Sequence, residues 1–459
     1  MKSTLITHLE QVRGACNEVE YARTDEERAI ALRRIQEYIS KVIVDQAQLP
    51  DLEKQAATQL ALIVNKPSPE SSFETAGKAF TDLISTADLT ADSAVMATAR
   101  EAVRIVTAHW QAYTGTLNAE LGNISANESG TPANPAAIDR DVLRRFIHEA
   151  IPGEDSVSVT DVRPASIGNS KATLLITLSG NKVLPDEIVM RKDQDFNFLD
   201  TYIVDEFPAL KLLYENGVPV PQPFALEPTG NILGQPFLLC SRVRGEALGT
   251  IYYPPPRNDA MMASIAQALA KVHSVPVDGL EYIGANRPQR QDYIREEIRS
   301  HYQTWQDLGV VNPIIETAFA WVKSNISKAY GRFSLVHNDY SYHNILIDND
   351  AVSAILDWEF IHIGNPAADI AYFQVDTDKG AGFDFFLDEY KKAGGIIPNK
   401  DELDFYYIWA HTRFAIMNYQ TLVGVSNGQM KGLRNMMPTL HFMPKPLFCL
   451  GEKLDEVLK

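Results

Sequence analysis

Cysteine is scarce in this chain. The three present, Cys16, Cys240 and Cys449, lie far apart and form no metal-type pair, so neither a disulfide framework nor a structural zinc site is expected. No unbroken apolar run reaches the length of a bilayer-crossing helix. The first residues, Met1 to Glu10, lack the apolar stretch and small-residue site of a secretory signal, so the cytoplasm is the expected location and no membrane partner is expected. Positive charge is also short: 42 Lys and Arg stand against 59 Asp and Glu, a formal net charge of −17. Binding along a nucleic-acid backbone needs clustered cations and is not expected. That charge fits a cationic partner and plain solubility equally well. No G-x-x-x-x-G-K-[ST] occurs, which excludes the P-loop class. Gly424-Val425-Ser426-Asn427-Gly428 satisfies G-x-S-x-G, but no Asp or Glu lies between Ser426 and His441 and the preceding sequence is helix-like, so a hydrolase elbow is not supported.

At 459 residues the chain exceeds the usual size of one hydrophobic core. Residues 1–120 carry apolar positions at helical spacing. Leu32, Ile35, Ile39 and Val42 form one stripe behind a capping box of Thr24 and Glu27; Met96, Ala99, Val103, Val106, Trp110 and Tyr113 form another. This predicts an all-α N-terminal domain that packs on itself, with a dimerisation or docking module, and hence a homodimer through these helices, as the alternative. The stretch 121–137, LGNISANESGTPANPAA, reads as a flexible linker. A chain starting near Ala136 is therefore expected to fold alone.

After a helix starting near Ile138, strand patterns appear at Ser156 to Arg163, Ala172 to Leu178 and Glu187 to Arg191, separated by turn residues, which predicts an antiparallel sheet. A helix from about Tyr202 to Asn216 ends at Gly217, and a strand runs from Phe237 to Val243. The remainder reads as helical, interrupted by two short strands, Asn344 to Ile347 and Ala354 to Leu356.

Around those strands the sequence is LVHNDYSYHNILID and then AVSAILDWEFIHIGNPAADIAY, in which His337, Asp339, Asn344 and Asp357 fill the pattern H-x-D, four residues, N, hairpin, D. This resembles the catalytic segment of the aminoglycoside phosphotransferase and choline kinase family. The resemblance implies an α+β, bilobal protein-kinase-like fold behind the helical region, with an antiparallel nucleotide-binding lobe at 138–245 and a helical catalytic lobe at 246–459. It implies an enzyme that moves the γ-phosphate of ATP to a hydroxyl of a small molecule, with Mg2+ as cofactor. Asp339 is then the catalytic base; Asn344 and Asp357 offer hard oxygen ligands to magnesium, and Glu359 joins them as a further metal contact. His337 and Asp369 are expected to hold the loop rather than react.

The resemblance extends upstream. Gly168 and Ser170 in the β-hairpin Ile167 to Lys171 are candidate phosphate contacts; Arg191 matches the phosphate-contacting cation, with Lys192 on the opposite face. Glu206 matches the helix glutamate that pairs with that cation, and Ser241 and Val243 match the edge that reads adenine. Relatives often have an acidic residue where Ser241 stands, so preference for ATP over GTP stays open. The insert NRPQRQDYIREEIRSHYQTWQDLG places Arg287, Arg290, Arg295, Arg299 and His301 among Tyr293, Tyr302 and Trp305. With Leu269 to Pro276 and Trp409 to Ala415, which includes Arg413, it is similar to the kinase-like domain found beside acyl-CoA dehydrogenases, which implies a hydroxyacyl-CoA or hydroxy acid as acceptor. Arg290, Arg295, Arg299 and Arg413 are the candidate acceptor contacts, because Arg forks suit carboxylate and phosphate. The alternatives are an aminoglycoside, macrolide or amino-alcohol kinase, and, in another class, a nucleotide-binding module without turnover.

Overall fold

A computed structural model describes residues 49–64, 72–85, 88–89, 93–121, 138–167, 171–194, 201–248, 255–278, 280, 283, 289–377, 382–426 and 444–459. The stripe from Leu32 to Val42, the capping box of Thr24 and Glu27, most of the linker, Gly168, Ser170 and Arg287 lie outside them.

The elements described before the sheet are all helices: α1 Leu49–Ile63, α2 Phe73–Ile84, α3 Ser93–Leu121 and α4 Arg140–Ala150. Asp139 caps α4 by accepting the N–H groups of Asp141 and Val142, two of the donors that a helix start leaves unpaired. The next strands are β1 Ser158–Ile167, β2 Lys171–Ser179 and β3 Glu187–Asp193, followed by α5 Ile203–Glu215, β4 Pro223–Glu227 and β5 Phe237–Ser241. They form one antiparallel sheet in the order β1-β2-β3-β5-β4. Its strand period of two separates two cores. Leu174, Ile176, Ile188, Met190, Phe237 and Leu239 pack with Leu143, Phe146 and Ile147 of α4, whereas Leu238 and Cys240 join Ile203, Leu210 and Leu213 of α5. Gly217 ends α5 at φ +70, where a Cβ would be strained, and Val218 N–H closes the turn on Leu213 O.

Edge strand β4 was not expected from the sequence. Its pattern is masked by Pro223, which fits an edge position because it has no N–H to offer a neighbour.

The chain continues through β6 Glu246–Ala247, α6 Asp259–His273, α7 Gln291–Asp307 and α8 Pro313–Ser324. Then come β7 Ser334–Val336, β8 Ile345–Asp348, β9 Ala351–Ile355, β10 His362–Gly364, α9 Ala367–Thr377, α10 Phe383–Lys392, α11 Lys400–Ser426 and α12 Pro444–Val457. β8 and β9 form the expected hairpin, its turn carried by Asn349 and Asp350 at positive φ, the backbone geometry that two-residue hairpins favour. Ser426 ends helix α11 instead of occupying a strand-to-helix elbow. Among the described residues no helix is long and apolar enough to cross a membrane.

The chain divides into two compact units: residues 1–128 with 295–330 and 404–459, and residues 129–294 with 331–403. In the first, Ala99, Ala102, Val103 and Val106 of α3 are fully buried, α3 packs on α8 and α12, and Arg100 and Arg104 both bind Asp455. Ten consecutive residues of α8, Pro313 to Val322, are buried. The N-terminal helices thus share a core with later helices. This differs from the expected division into a separate 1–120 domain, because the stripe on α3 finds its partners near the other end of the chain.

Candidate active site

The loop after β7 is held from below by Asp369, in the first turn of α9. Its carboxylate accepts the backbone N–H of His337 at 2.8 Å and of Asn338 at 2.6 Å, and lies 3.1 Å from His273 Nε2. Burial works against ionising Asp369, but the hydrogen bond and charge of His273, with further donors from the loop, lower its pKa. Asn338 is at φ +65, a conformation tolerated by Asn, and its Nδ2 donates to Tyr293 OH at 3.2 Å. The Tyr293 ring stacks on His362 with centroids 3.4 Å apart.

His337 Nδ1 accepts the Asp339 N–H at 3.2 Å, so its Nε2 carries the proton toward Leu356 O at 2.8 Å. That bond ties the loop to the segment preceding Asp357. Both ring nitrogens are therefore committed to the backbone.

Asp339 accepts the Asn344 amide Nδ2 at 2.8 Å, which fixes the orientation of Asn344; its Oδ1 accepts no hydrogen bond among the described residues. Burial pushes the Asp339 carboxyl up to about 6, against a hydrogen bond from Tyr372. The Asn344 carbonyl accepts Leu356 N–H at 2.8 Å, which sets Asn344 beside the start of the Asp357 turn. Asp357 itself stands at φ +63, in the sparsely populated region that clusters at functional sites.

Arg191, central in β3, reaches Asp357 Oδ1 at 2.8 Å and Glu206 Oε2 of α5 at 3.3 Å. For Asp357, burial opposes the charge, and the Arg191 charge and hydrogen bond overcome it, so the pKa falls. Burial likewise opposes the Arg191 charge, but Glu206 and Asp357 hold the guanidinium protonated. Glu206, fully enclosed, is pushed up by burial against the Arg191 charge. The strand, the helix and the Asp357 turn thus converge on one guanidinium.

Ser241 bonds through both its N–H and its Oγ to the Gln222 backbone, so its side chain serves the β4–β5 join. Among the described residues no hydrogen bond is made to the Val243 backbone, which leaves that edge available. Gly245 follows at φ +122, and a Cβ there would stand 2.6 Å from Ser353 Oγ.

A family model described as the phosphotransferase enzyme family matches residues 161–406, more than half of the chain. The chain belongs to that family. Over 246 residues this phosphotransferase is 27% identical to acyl-CoA dehydrogenase family member 10 of Mus musculus, covering 51% of this chain and 22% of the relative. Over 244 residues it is 26% identical to acyl-CoA dehydrogenase family member 11 of Gallus gallus, covering 51% and 30%. The matched part is therefore less than a third of these curated relatives. A solved structure from Ralstonia eutropha JMP134, assigned to the aminoglycoside phosphotransferases, superposes with a TM-score of 0.56 at 18% identity, covering 70% of this chain and 99% of that one. Fold and family agree with the kinase-like expectation.

The four arginines expected at the acceptor are engaged within this phosphotransferase. Arg290 directs Nη1 to Leu280 O at 3.2 Å and Nη2 to Val277 O at 3.3 Å, and its own N–H to Ile363 O at 2.6 Å; it is a backbone clamp. In the other unit, Arg299 forks onto Glu296, Arg295 donates to Tyr330 OH, and Arg413 reaches Glu297 at 2.9 Å. Glu-Arg spacing on one helix face was the only sequence signal for the Arg299 pair.

Sequence reading missed Lys171, Asp193 and Thr201. Lys171 Nζ lies 3.4 Å from Asp193 Oδ1 and 3.6 Å from Glu359 Oε2, and Thr201 Oγ1 donates to the same Glu359 oxygen at 2.6 Å. Glu359, expected at the metal, is therefore tied to protein groups. A lysine opening a strand carries no local mark of such burial.

Proposed function

We propose that this phosphotransferase moves the γ-phosphate of ATP to a hydroxyl of a small molecule, with Asp339 as base. The observation that supports this most is the pairing of a buried, raised-pKa carboxylate, Asp339, with an Asn344 whose amide oxygen accepts no hydrogen bond among the described residues. A carboxylate near 6 is ionised at neutral pH and still basic enough to take the hydroxyl proton. Arg191, positioned by Glu206, is the cation on the nucleotide side, and the Val243 backbone, which makes no hydrogen bond among the described residues, is the edge suited to adenine.

The donors present fit magnesium. Asn344 Oδ1 and Asp357 are hard oxygens, and around them four carboxylates, Asp193, Glu206, Asp357 and Glu359, face two cations, Lys171 and Arg191. Among the described residues no three His, Cys, Asp or Glu side chains form a metal site of their own, which suits an ion that takes its other ligands from phosphate and water. When bound, magnesium neutralises charge on the triphosphate oxygens. The protein's own part is to orient the acceptor on Asp339, keep Asp357 ionised through Arg191, and fix Asn344.

For the acceptor, the reading is a hydroxyacyl-CoA or hydroxy acid. Arg290 and Arg299 are committed elsewhere in the protein, so its support is the likeness to the acyl-CoA dehydrogenase family members over half of the chain. The test is magnesium-dependent ADP release against hydroxyacyl-CoA thioesters, hydroxy acids, amino alcohols, aminoglycosides and macrolides. Selective turnover of thioesters or hydroxy acids is the expected result. Selective turnover of aminoglycosides or choline refutes the acceptor class, and binding of ATP with no turnover on any acceptor refutes the enzyme.

A further inference from the structure

Lys171 opens β2, and its side chain is only 3% exposed. Its ammonium donates to Thr201 O at 2.7 Å and Thr201 Oγ1 at 3.0 Å, besides facing Asp193 and Glu359. Taking an ammonium out of water is costly unless it is paired, so a fold that keeps Lys171 here depends on these ties. Asp193, its register partner across β2 and β3, also accepts the N–H of Ile203, the first residue of α5, at 3.2 Å. From there a circuit closes: α5 carries Glu206, Glu206 pairs with Arg191, Arg191 binds Asp357, and Glu359, two residues on, returns to Lys171.

We propose that Lys171 is a positioning residue for phosphoryl transfer: it holds Glu359 as an internal counter-ion, reserving Asp357 for the metal-nucleotide complex, and it ties α5 to the Asp357 turn. The proposal rests on the reading of Asp357 as the metal ligand. Thr201 reinforces it, because its hydroxyl occupies the same Glu359 oxygen that Lys171 faces. Without the lysine, four carboxylates would face one cation, and Glu359 would stand as a second carboxylate two positions from Asp357. The site would then recruit a divalent cation before nucleotide arrives.

Mn2+ binding to the full chain, followed by electron paramagnetic resonance with and without a non-hydrolysable ATP analogue, tests this. Lys171→Met should bind Mn2+ about tenfold more tightly without nucleotide, the lower end of what groups supporting a metal site control, and should lose kcat more than KM for ATP. Lys171→Met with Glu359→Gln should return Mn2+ affinity to the wild-type value. Glu359→Gln alone should leave Mn2+-nucleotide affinity unchanged. Unchanged Mn2+ affinity in Lys171→Met overturns the proposal, as does a loss of about tenfold or more in Glu359→Gln, which decides the matter alone if Lys171→Met does not fold. Asp357→Asn separates the two readings. If it keeps wild-type Mn2+-nucleotide affinity, the metal-ligand reading falls; if it loses affinity while Lys171→Met changes nothing, only the Lys171 proposal falls.

Discussion

Replacing Asp339 with Asn removes the carboxylate charge while keeping an amide oxygen that can still accept the Asn344 Nδ2, now 2.8 Å from Asp339. The loop should therefore keep its shape, since its backbone is held by Asp369 and not by Asp339. Burial places the Asp339 carboxyl at about 6. At pH 7.5 a group with that value is about 97% ionised, against essentially complete ionisation of an unperturbed Asp, so burial strengthens the base at little cost in population. Loss of a general base lowers turnover by roughly 10²–10⁴-fold, or about 2.7–5.4 kcal/mol of barrier. The assay is coupled ADP release at saturating nucleotide, with nucleotide affinity measured separately and expected to stay near wild type. The ionised form is the active one, so wild-type kcat/KM should fall as pH drops through about 6, about tenfold per unit below it. A bound divalent cation beside Asp357 shifts this limb downward, since it favours the charged carboxylate. Near-wild-type turnover in Asp339→Asn, or a kcat/KM profile with no acid limb at all, would refute the assignment.

Asp357→Ala should weaken metal-nucleotide binding about tenfold or more and also leave Arg191 with one fewer partner; calorimetric titration with Mg-ATP measures it. Glu206→Gln should lower turnover with little change in fold, because the Arg191 guanidinium keeps Asp357 at 2.8 Å but loses its second anchor; unchanged kcat at unchanged KM would count against its positioning role. In Asp369→Ala two buried loop N–H groups lose their acceptor, at about 1–3 kcal/mol each, so the urea midpoint should drop and the catalytic loop should lose hydrogen-exchange protection. Removing residues 1–128 should give an insoluble or dye-binding product, since α3 buries Ala99, Ala102, Val103 and Val106 against a core it shares with α8 and α12. A soluble, ATP-binding protein starting near Ala136 would instead show that the rest of the chain folds without the N-terminal helices.

Some of this protein is written in short stretches of its sequence. The order His337, Asp339, Asn344, hairpin, Asp357 is local, and one turn with one β-hairpin brings it together, so a short stretch was enough to show the family resemblance that implies the chemistry. Strands β1, β2, β3 and β5 and helix α5 were legible for the same reason, since side-chain period, Gly217 and the turn residues act over a few positions, whereas Pro223 hid β4. The pairing of Arg191 with Asp357 joins residues 166 positions apart, and here only the family resemblance pointed to both partners. Where no such resemblance existed, the sequence was silent. Nothing near Lys171 announces that its ammonium will be enclosed by Asp193, Thr201 and Glu359, nor does Arg290 look different from an arginine that faces a ligand. Burial of a charge is decided by what distant segments bring to it, and desolvation makes that outcome energetically decisive. The apolar stripe on α3 is likewise plain in sequence as a stripe, but which surface covers it is a property of the whole chain. The sequence determined most of the elements and which polar groups gather on the catalytic-type loop; tertiary packing decided which charges pair with one another inside the protein, because burial makes an unpaired charge costly.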